Sequence, residues 1–164
     1  MIKMEPEVVA LKEMRIGGVY IEATEKDCGP QSAADELWRA FRGSARCFNK
    51  EAEPKNPIPT YVVYTEYNRS EDGKCTIMIG HEVTGRGGPA GDGCRIVRLP
   101  KSHYAVFTTR RGPALKVTAE TWRMIDVYFA ASSYRRRYTG DFELYDARAS
   151  DPDNAVVDIY VAVE

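Results

Sequence analysis

The chain has 164 residues, 43% of them hydrophobic and 29% charged, which fits one domain able to bury a real core without metal or disulfide staples and excludes a disordered chain. The 23 basic residues nearly balance the 24 acidic ones, and the formal net charge of -1 gives no domain-wide nucleic-acid footprint. No run approaches the ~20 apolar residues that cross a bilayer, and no secretory segment opens the chain, so a cytoplasmic, membrane-free protein is expected.

In chain order, Glu7 to Thr24 reads as one long, bent strand, with Gly17-Gly18 marking a bulge or a close backbone approach. Pro30 to Phe41 reads as a helix whose apolar stripe is Ala34, Leu37, Trp38 and Phe41. A Pro-containing loop, 44–59, leads to a strand from Thr60 to Tyr67, rich in β-branched and aromatic residues. After a turn at Asp72-Gly73 comes a strand from Cys75 to Thr84. The Gly-dense stretch 85–93 lacks the Gly-Lys-Ser/Thr of a phosphate loop and reads as a connection. Cys94 to Arg110 reads as a strand interrupted near Pro100, and Pro113 to Phe129 as a helix with Leu115, Thr118, Trp122, Ile125 and Phe129 on one face. Asp141 to Arg148 and Ala155 to Val163 read as the closing strands, with a turn between.

Cys28, Cys47, Cys75 and Cys94 form no C-x-x-C, and His81 and His103 stand apart, so no metal site is expected and the cysteines read as free thiols. The short basic runs Arg110-Arg111 and Arg135-Arg136-Arg137 read as solvated surface.

Both halves read strand, helix, strand, strand. Glu36-Leu37-Trp38-Arg39 is echoed by Glu120-Thr121-Trp122-Arg123, and Tyr61-Val62-Val63-Tyr64 by Phe142-Glu143-Leu144-Tyr145. The expected fold is therefore α+β: one domain over 1–164, built from tandem βαββ repeats (about 3–84 and 94–163, linker 85–93) with pseudo-two-fold symmetry. Antiparallel sheets, two main helices and a ligand cleft between the halves complete the expectation.

Alternation sorts the strand after the second helix into two faces: Phe142 and Leu144 toward the helix, and Asp141, Glu143 and Tyr145 away from it. Glu143 then stands where the first half carries Val62, with Tyr64 and Tyr145 on the equivalent faces. A carboxylate among tyrosines suits an apolar cation, because the ring faces attract its charge and the carboxylate neutralises it. The same groups suit general-base chemistry, with Glu143 as base and Tyr145 as donor, and the sequence does not choose between binding and turnover. The expected ligand-contact set is Glu143, Tyr64, Tyr145, Trp122, Tyr104, Tyr20 and Trp38, with no metal and no cofactor. Trp38 and Trp122 read first as core packing, and Glu82 as a solvated edge residue rather than a second carboxylate.

Taken in order, these pieces resemble the GyrI-like small-molecule-binding proteins, related to the effector-binding domains of AraC- and MerR-type regulators. The resemblance rests on Glu7-Val8-Val9 with Arg15-Ile16-Gly17-Gly18, Leu37-Trp38, Tyr61-Val62-Val63-Tyr64 and Gly80-His81-Glu82-Val83. It continues through Leu99-Pro100, Tyr104-Ala105-Val106-Phe107, Gly112, Thr121-Trp122, Asp141-Phe142-Glu143-Leu144-Tyr145-Asp146 and Asp158-Ile159-Tyr160-Val161-Ala162-Val163. It implies a ligand cleft containing the acidic residue of the Asp-Phe-Glu strand, which maps onto Glu143. It implies three roles: a stand-alone binding module for hydrophobic, cationic or aromatic small molecules; a hydrolase of cyclopropanoid-type genotoxins using the same Glu; or a protein that modulates DNA gyrase or serves a regulator partner. The chain is too short to add a helix-turn-helix, so direct nucleic-acid binding is not expected.

Overall fold

The computed structural model describes residues 5–23, 34–43, 59–68, 74–83 and 94–164. Eight strands and two helices succeed one another: β1 (Glu7–Leu11), β2 (Met14–Ala23), α1 (Ala34–Gly43), β3 (Thr60–Asn68), β4 (Lys74–Glu82), β5 (Cys94–Leu99), β6 (Ser102–Thr108), α2 (Ala114–Ala131), β7 (Asp141–Tyr145) and β8 (Asp158–Val163). All strands join one antiparallel sheet in the order β1-β6-β8-β7-β3-β4-β2-β5. This is the expected α+β class, with two helices on an open sheet.

The order is symmetric about the β7–β3 junction: β7 answers β3, β8 answers β4, β6 answers β2 and β1 answers β5. The register makes this sharper. Val62 pairs with Glu143, Tyr61 with Leu144 and Val63 with Phe142, so the two strands exchange roles about the Val62–Glu143 pair.

Each expected long strand is two strands. The first breaks at residues 12–13, so that β1 pairs with β6 while β2 pairs with β4 and β5. The second breaks at Pro100, whose ring removes a ladder donor, and β5 and β6 part to opposite ends of the sheet. β7 ends at Tyr145, and residues Ala147–Ala149 form a single 3-10 turn capped by the Asp146 carboxylate, which accepts from the Arg148 N–H. The Gly17-Gly18 signal is a close approach. A Cβ on Gly18 would lie 2.0 Å from the Ile79 carbonyl oxygen, and one on the facing Gly80 would lie 1.9 Å from that of Gly17. The expected start of the first helix at Pro30, the turn at Asp72-Gly73 and the connection 85–93 lie outside the described residues.

Two layers of core lie on either side of the sheet. On the helix side, Leu37 of α1 packs with Val19, Val62, Tyr64, Ile77 and Ile79, and Ile125 of α2 packs with Ala105, Phe107, Ile159 and Val161. On the other side, Ile16, Tyr61, Val63, Met78, Leu99, Tyr104 and Phe142 form one cluster. That cluster also takes in Val9 and Leu11 from one edge strand and Val97 from the other, so the sheet curls until its edges share a core. Phe142 stacks on Tyr160 with ring centroids 4.5 Å apart. Burying each such aromatic ring contributes about 1.5–3 kcal/mol.

Three expectations are corrected. Phe142 and Leu144 face away from the helices, and Glu143 and Tyr145 face toward them: the alternation is as expected, but the sides are reversed. A two-residue period says which residues share a face and not which face the helix covers. The α2 stripe is shifted at its start: Thr118, Trp122, Ile125 and Phe129 face the core as expected and Val117, Ala119 and Thr121 join them, whereas Leu115 is 38% exposed. Thr118 and Thr121 can occupy that stripe because their hydroxyls donate to the carbonyls of Ala114 and Val117 one turn earlier. Finally, Cys75 and Cys94 are disulfide-bonded rather than free. They lie on β4 and β5, which flank β2, opposite Ala23 and Val19 respectively, too far apart to be bonded to each other.

Candidate functional site

The site lies where the sheet's symmetric seam meets the two helices. Strand β7 turns Glu143 toward α2, and Glu143 is 2% exposed. Three donors converge on its carboxylate. The Trp122 indole N–H donates to Oε2 at 2.8 Å, the Tyr64 hydroxyl to the same oxygen at 2.9 Å, and the Tyr145 hydroxyl to Oε1 at 2.7 Å. Each comes from a different element, α2, β3 and β7, so helix, central strand and the carboxylate's own strand all aim at one point.

The rings interlock. Trp122 meets Tyr64 edge-on at 5.4 Å, and Trp38 of α1 meets Tyr145 edge-on at 5.2 Å, an arrangement that repeats across the seam. Phe41 extends the wall, 5.9 Å from Trp38 and 5.4 Å from His81. Such edge-to-face contacts are worth roughly 0.5–1.5 kcal/mol each beyond burial.

Burial raises the Glu143 carboxyl above its ordinary value, while the hydrogen bonds from Trp122, Tyr145 and Tyr64 pull it back down. Tyr64 and Tyr145 are pushed well above 10, first by burial and then by the Glu143 charge, so both stay protonated donors. Among the described residues no Lys, Arg or His forms an ion pair with Glu143.

Its neighbour two residues earlier on the strand is treated differently. Asp141, wholly buried, accepts from the Tyr67 hydroxyl at 2.6 Å and the Ala162 N–H at 2.8 Å, and pairs with Arg136 at 2.7 Å. Arg136 therefore corrects the reading of its basic run as solvated surface, since its side chain is only 16% exposed. Its guanidinium lies 4.6 Å from the Tyr138 ring and 6.0 Å from the Trp122 ring. An Arg-Arg-Arg run gave no sign that its middle member turns inward; the buried Asp141 five residues on is the partner that draws it in.

Of the seven expected contact residues, the structure brings Glu143, Tyr64, Tyr145, Trp122 and Trp38 together. Tyr104 and Tyr20 belong to the cluster on the opposite side of the sheet, with the strands between them and Glu143. Tyr104 is wholly buried against Phe142 and Tyr160, and Tyr20 lies under the Arg95 guanidinium at 5.3 Å. Glu82 is on that opposite side as well, where its charge helps raise Tyr61 to about 12 after burial. Trp122, expected as packing first, is both a wall of the cluster and a donor to Glu143. No group of three or more His, Cys, Asp or Glu among the described residues is arranged to hold a metal ion, and no described helix is long and apolar enough to cross a membrane.

Arranged this way, the site offers a buried, aromatic-walled carboxylate with both oxygens engaged by donors and no ion-pair partner among the described residues. A buried charge of this kind is costly unless a proton or a cation joins it.

Comparison with known proteins gives consistent results. The sequence profile of the integron-associated effector-binding protein family Cass2 matches residues 7–163. YobU of Bacillus subtilis (strain 168), a protein named for transcription regulation, is 32% identical over 135 residues, covering 79% of this chain and 76% of YobU. Among solved structures, the integron cassette protein VCH_CASS2 of Vibrio cholerae superposes with a TM-score of 0.66 at 19% identity, covering 98% of this chain and 97% of that one. SAV2435 bound to tetraphenylphosphonium superposes with a TM-score of 0.72 at 17% identity, covering 98% of this chain and 94% of that one. A transcription regulation protein of Staphylococcus aureus MU50 superposes with a TM-score of 0.72 at 18% identity, covering 99% of both chains.

Proposed function

We propose that this chain, which belongs to the Cass2 family of integron-associated effector-binding proteins, binds lipophilic cations between its two helices, with Glu143 as counter-charge. The observation that carries this reading is a carboxylate 2% exposed and held by three donors, with which no basic residue among the described residues forms an ion pair. Water cannot screen a cation brought to it, and the rings of Trp122, Tyr64, Trp38 and Tyr145 supply the apolar and quadrupolar contacts that such a cation needs. The tetraphenylphosphonium held by SAV2435, on the same fold, is a ligand of this chemical type. A duplicated βαββ unit accounts for the mirrored strand order and for the paired Trp–Tyr contacts on the two sides of the seam.

Calorimetric titration with tetraphenylphosphonium tests the proposal. Saturable one-site binding by the wild-type chain is expected, with stabilisation of roughly 2.7 kcal/mol when the ligand stands at about 100 times its Kd. An absence of binding and of thermal stabilisation across a panel of aromatic cations overturns the reading.

A further inference from the structure

We propose that ligand binding at this site is under redox control: two disulfides join Cys75 and Cys94 to Cys28 and Cys47, so that the chain on both sides of α1 is bonded to the sheet, and reduction frees that wall of the site. The control of binding rests on the lipophilic-cation reading; the cysteine pairing does not.

The pairing follows by elimination. The sequence holds four cysteines, Cys28, Cys47, Cys75 and Cys94. Cys75 and Cys94 are both disulfide-bonded. Cys75 stands opposite Ala23 on one side of β2, and Cys94 opposite Val19 on the other. They are separated by about 10 Å across the strands and about 13 Å along them, whereas bridged cysteines have Cα atoms within about 7 Å. Neither is therefore the other's partner, and within one chain Cys28 and Cys47 remain. Cys28 precedes Ala34, where α1 begins, and Cys47 follows Gly43, where it ends. Whichever way the two pairs are drawn, α1 lies between one covalent tie to β4 and another to β5.

Such ties matter to a helix this short. With 10 residues, α1 falls below the ~12–15 at which an isolated helix is even marginal in water. Its grip on the sheet centres on Leu37, 2% exposed, in the same layer that takes in Cys75 and Cys94. By contrast α2 has 18 residues and buries Val117, Thr118, Ala119, Thr121 and Ile125.

Release of α1 reaches the carboxylate through Trp38. That ring meets Tyr145 edge-on at 5.2 Å, and the Tyr145 hydroxyl donates to Glu143 Oε1. Once Trp38 withdraws, water enters from its side, while Trp122 and Tyr64 keep their hold on Oε2. A higher local dielectric and one lost aromatic contact together weaken a bound cation roughly tenfold. The reductant is a dithiol. Its thiolate attacks one sulfur of the bond, and the other sulfur leaves as a thiolate and takes up a proton. The second thiol of the reductant then displaces the remaining cysteine, which is also protonated, and the reductant departs as a cyclic disulfide.

Peptide mapping of the oxidised protein by mass spectrometry tests the pairing. Links from Cys75 and Cys94 to Cys28 and Cys47 are expected; a Cys75–Cys94 link, four free thiols or a covalent dimer overturns the proposal. Tetraphenylphosphonium is then titrated into the oxidised chain, into the chain reduced with dithiothreitol, and into Cys94→Ser, which opens one tie without a reductant. Affinity is expected to fall roughly tenfold on reduction and to return on reoxidation, with a loss in the same direction for Cys94→Ser. Hydrogen exchange locates the change: faster exchange over Ala34–Gly43 is expected, with α2, β6 and β8 unaltered. Unchanged affinity in both the reduced chain and Cys94→Ser overturns the proposal. So does a reduced chain that loses protection throughout, because the disulfides then serve the whole fold rather than one wall of the site. An oxidised chain that does not bind tetraphenylphosphonium overturns the cation reading and the control of binding with it, and the peptide map still decides the pairing.

Discussion

Val62 and Glu143 face each other directly across β3 and β7, at the pair about which the whole strand order is mirrored. One half offers an isopropyl group at the seam and the other a carboxylate. The walls around them match: Trp38 on Tyr145 from one side, Trp122 on Tyr64 from the other. The seam is thus near-symmetric in shape and one-sided in charge.

The first prediction concerns that charge. Glu143→Gln keeps the side chain's size and one carbonyl acceptor but removes the anion. Loss of a buried charge pair with a ligand cation is expected to weaken tetraphenylphosphonium binding roughly 10–100-fold, and to weaken a neutral isostere far less. Calorimetric titration of both ligands against both proteins measures the difference. Equal losses for the two ligands would mean that Glu143 acts through shape alone.

A pH dependence follows from the same residue. Burial raises the Glu143 carboxyl in the folded chain above its ordinary value of 4.5. The folded state therefore binds this proton more tightly than the unfolded one. The stability that this residue contributes is fully present below the ordinary carboxyl range and is lost as pH rises through the raised folded value. Cation affinity runs the other way: it increases as pH rises through that value, and binding below it releases a proton. Titrations in buffers of different ionisation enthalpy count the proton, and the Glu143→Gln variant is expected to show no such step.

Intrinsic fluorescence reports the site with little background. The chain has two tryptophans, Trp38 and Trp122, and both stand at the candidate site. Ligand entry is expected to shift or quench most of the tryptophan emission. Trp122→Phe also removes the donor to Glu143 Oε2 and is expected to cost about 1–3 kcal/mol in chemical denaturation, whereas Trp38→Phe removes no hydrogen bond to Glu143. Emission that stays constant at saturating tetraphenylphosphonium would place the ligand elsewhere.

Gly18 and Gly80 supply a prediction about the fold itself. They face each other on β2 and β4, and a methyl group on either would lie about 2 Å from a backbone carbonyl oxygen of the other strand. No rotamer relieves a backbone clash. Gly18→Ala and Gly80→Ala are each expected to lower stability by about 3 kcal/mol or more, read from urea midpoints. Near-wild-type midpoints would mean that the two strands can separate locally at little cost.

Much of this was legible in the sequence, for physical reasons that particular residues make plain. β-Branched and aromatic runs such as Thr60–Asn68 declare strands, and the Leu37, Trp38, Phe41 spacing declares a helix. Glu143, Tyr64 and Tyr145 share a face because side chains alternate, and that period survives any rotation of the whole strand. What the pattern could not supply was the sign of the face. Phe142 and Tyr104 look like residues for a helix to cover, yet they pack on the sheet's other side because the curling strands form a core of their own there. Tyr20 and Tyr104 left the candidate site for that reason. The inward turn of Arg136 was equally hidden, because it depends on Asp141 being buried across a non-helical segment that local periodicity does not describe.

The β3–β7 ladder has a mechanical meaning as well. It is the only strand pairing in the order that joins the β1-β6-β8-β7 half to the β3-β4-β2-β5 half among the described residues, and Glu143 stands in the middle of it. A molecule seated against α1, α2 and this ladder would act as a clamp across a hinge. The amides of Val62, Val63 and Glu143 would then exchange with solvent more slowly in its presence, and the stiffness of the whole chain would register that the site is filled.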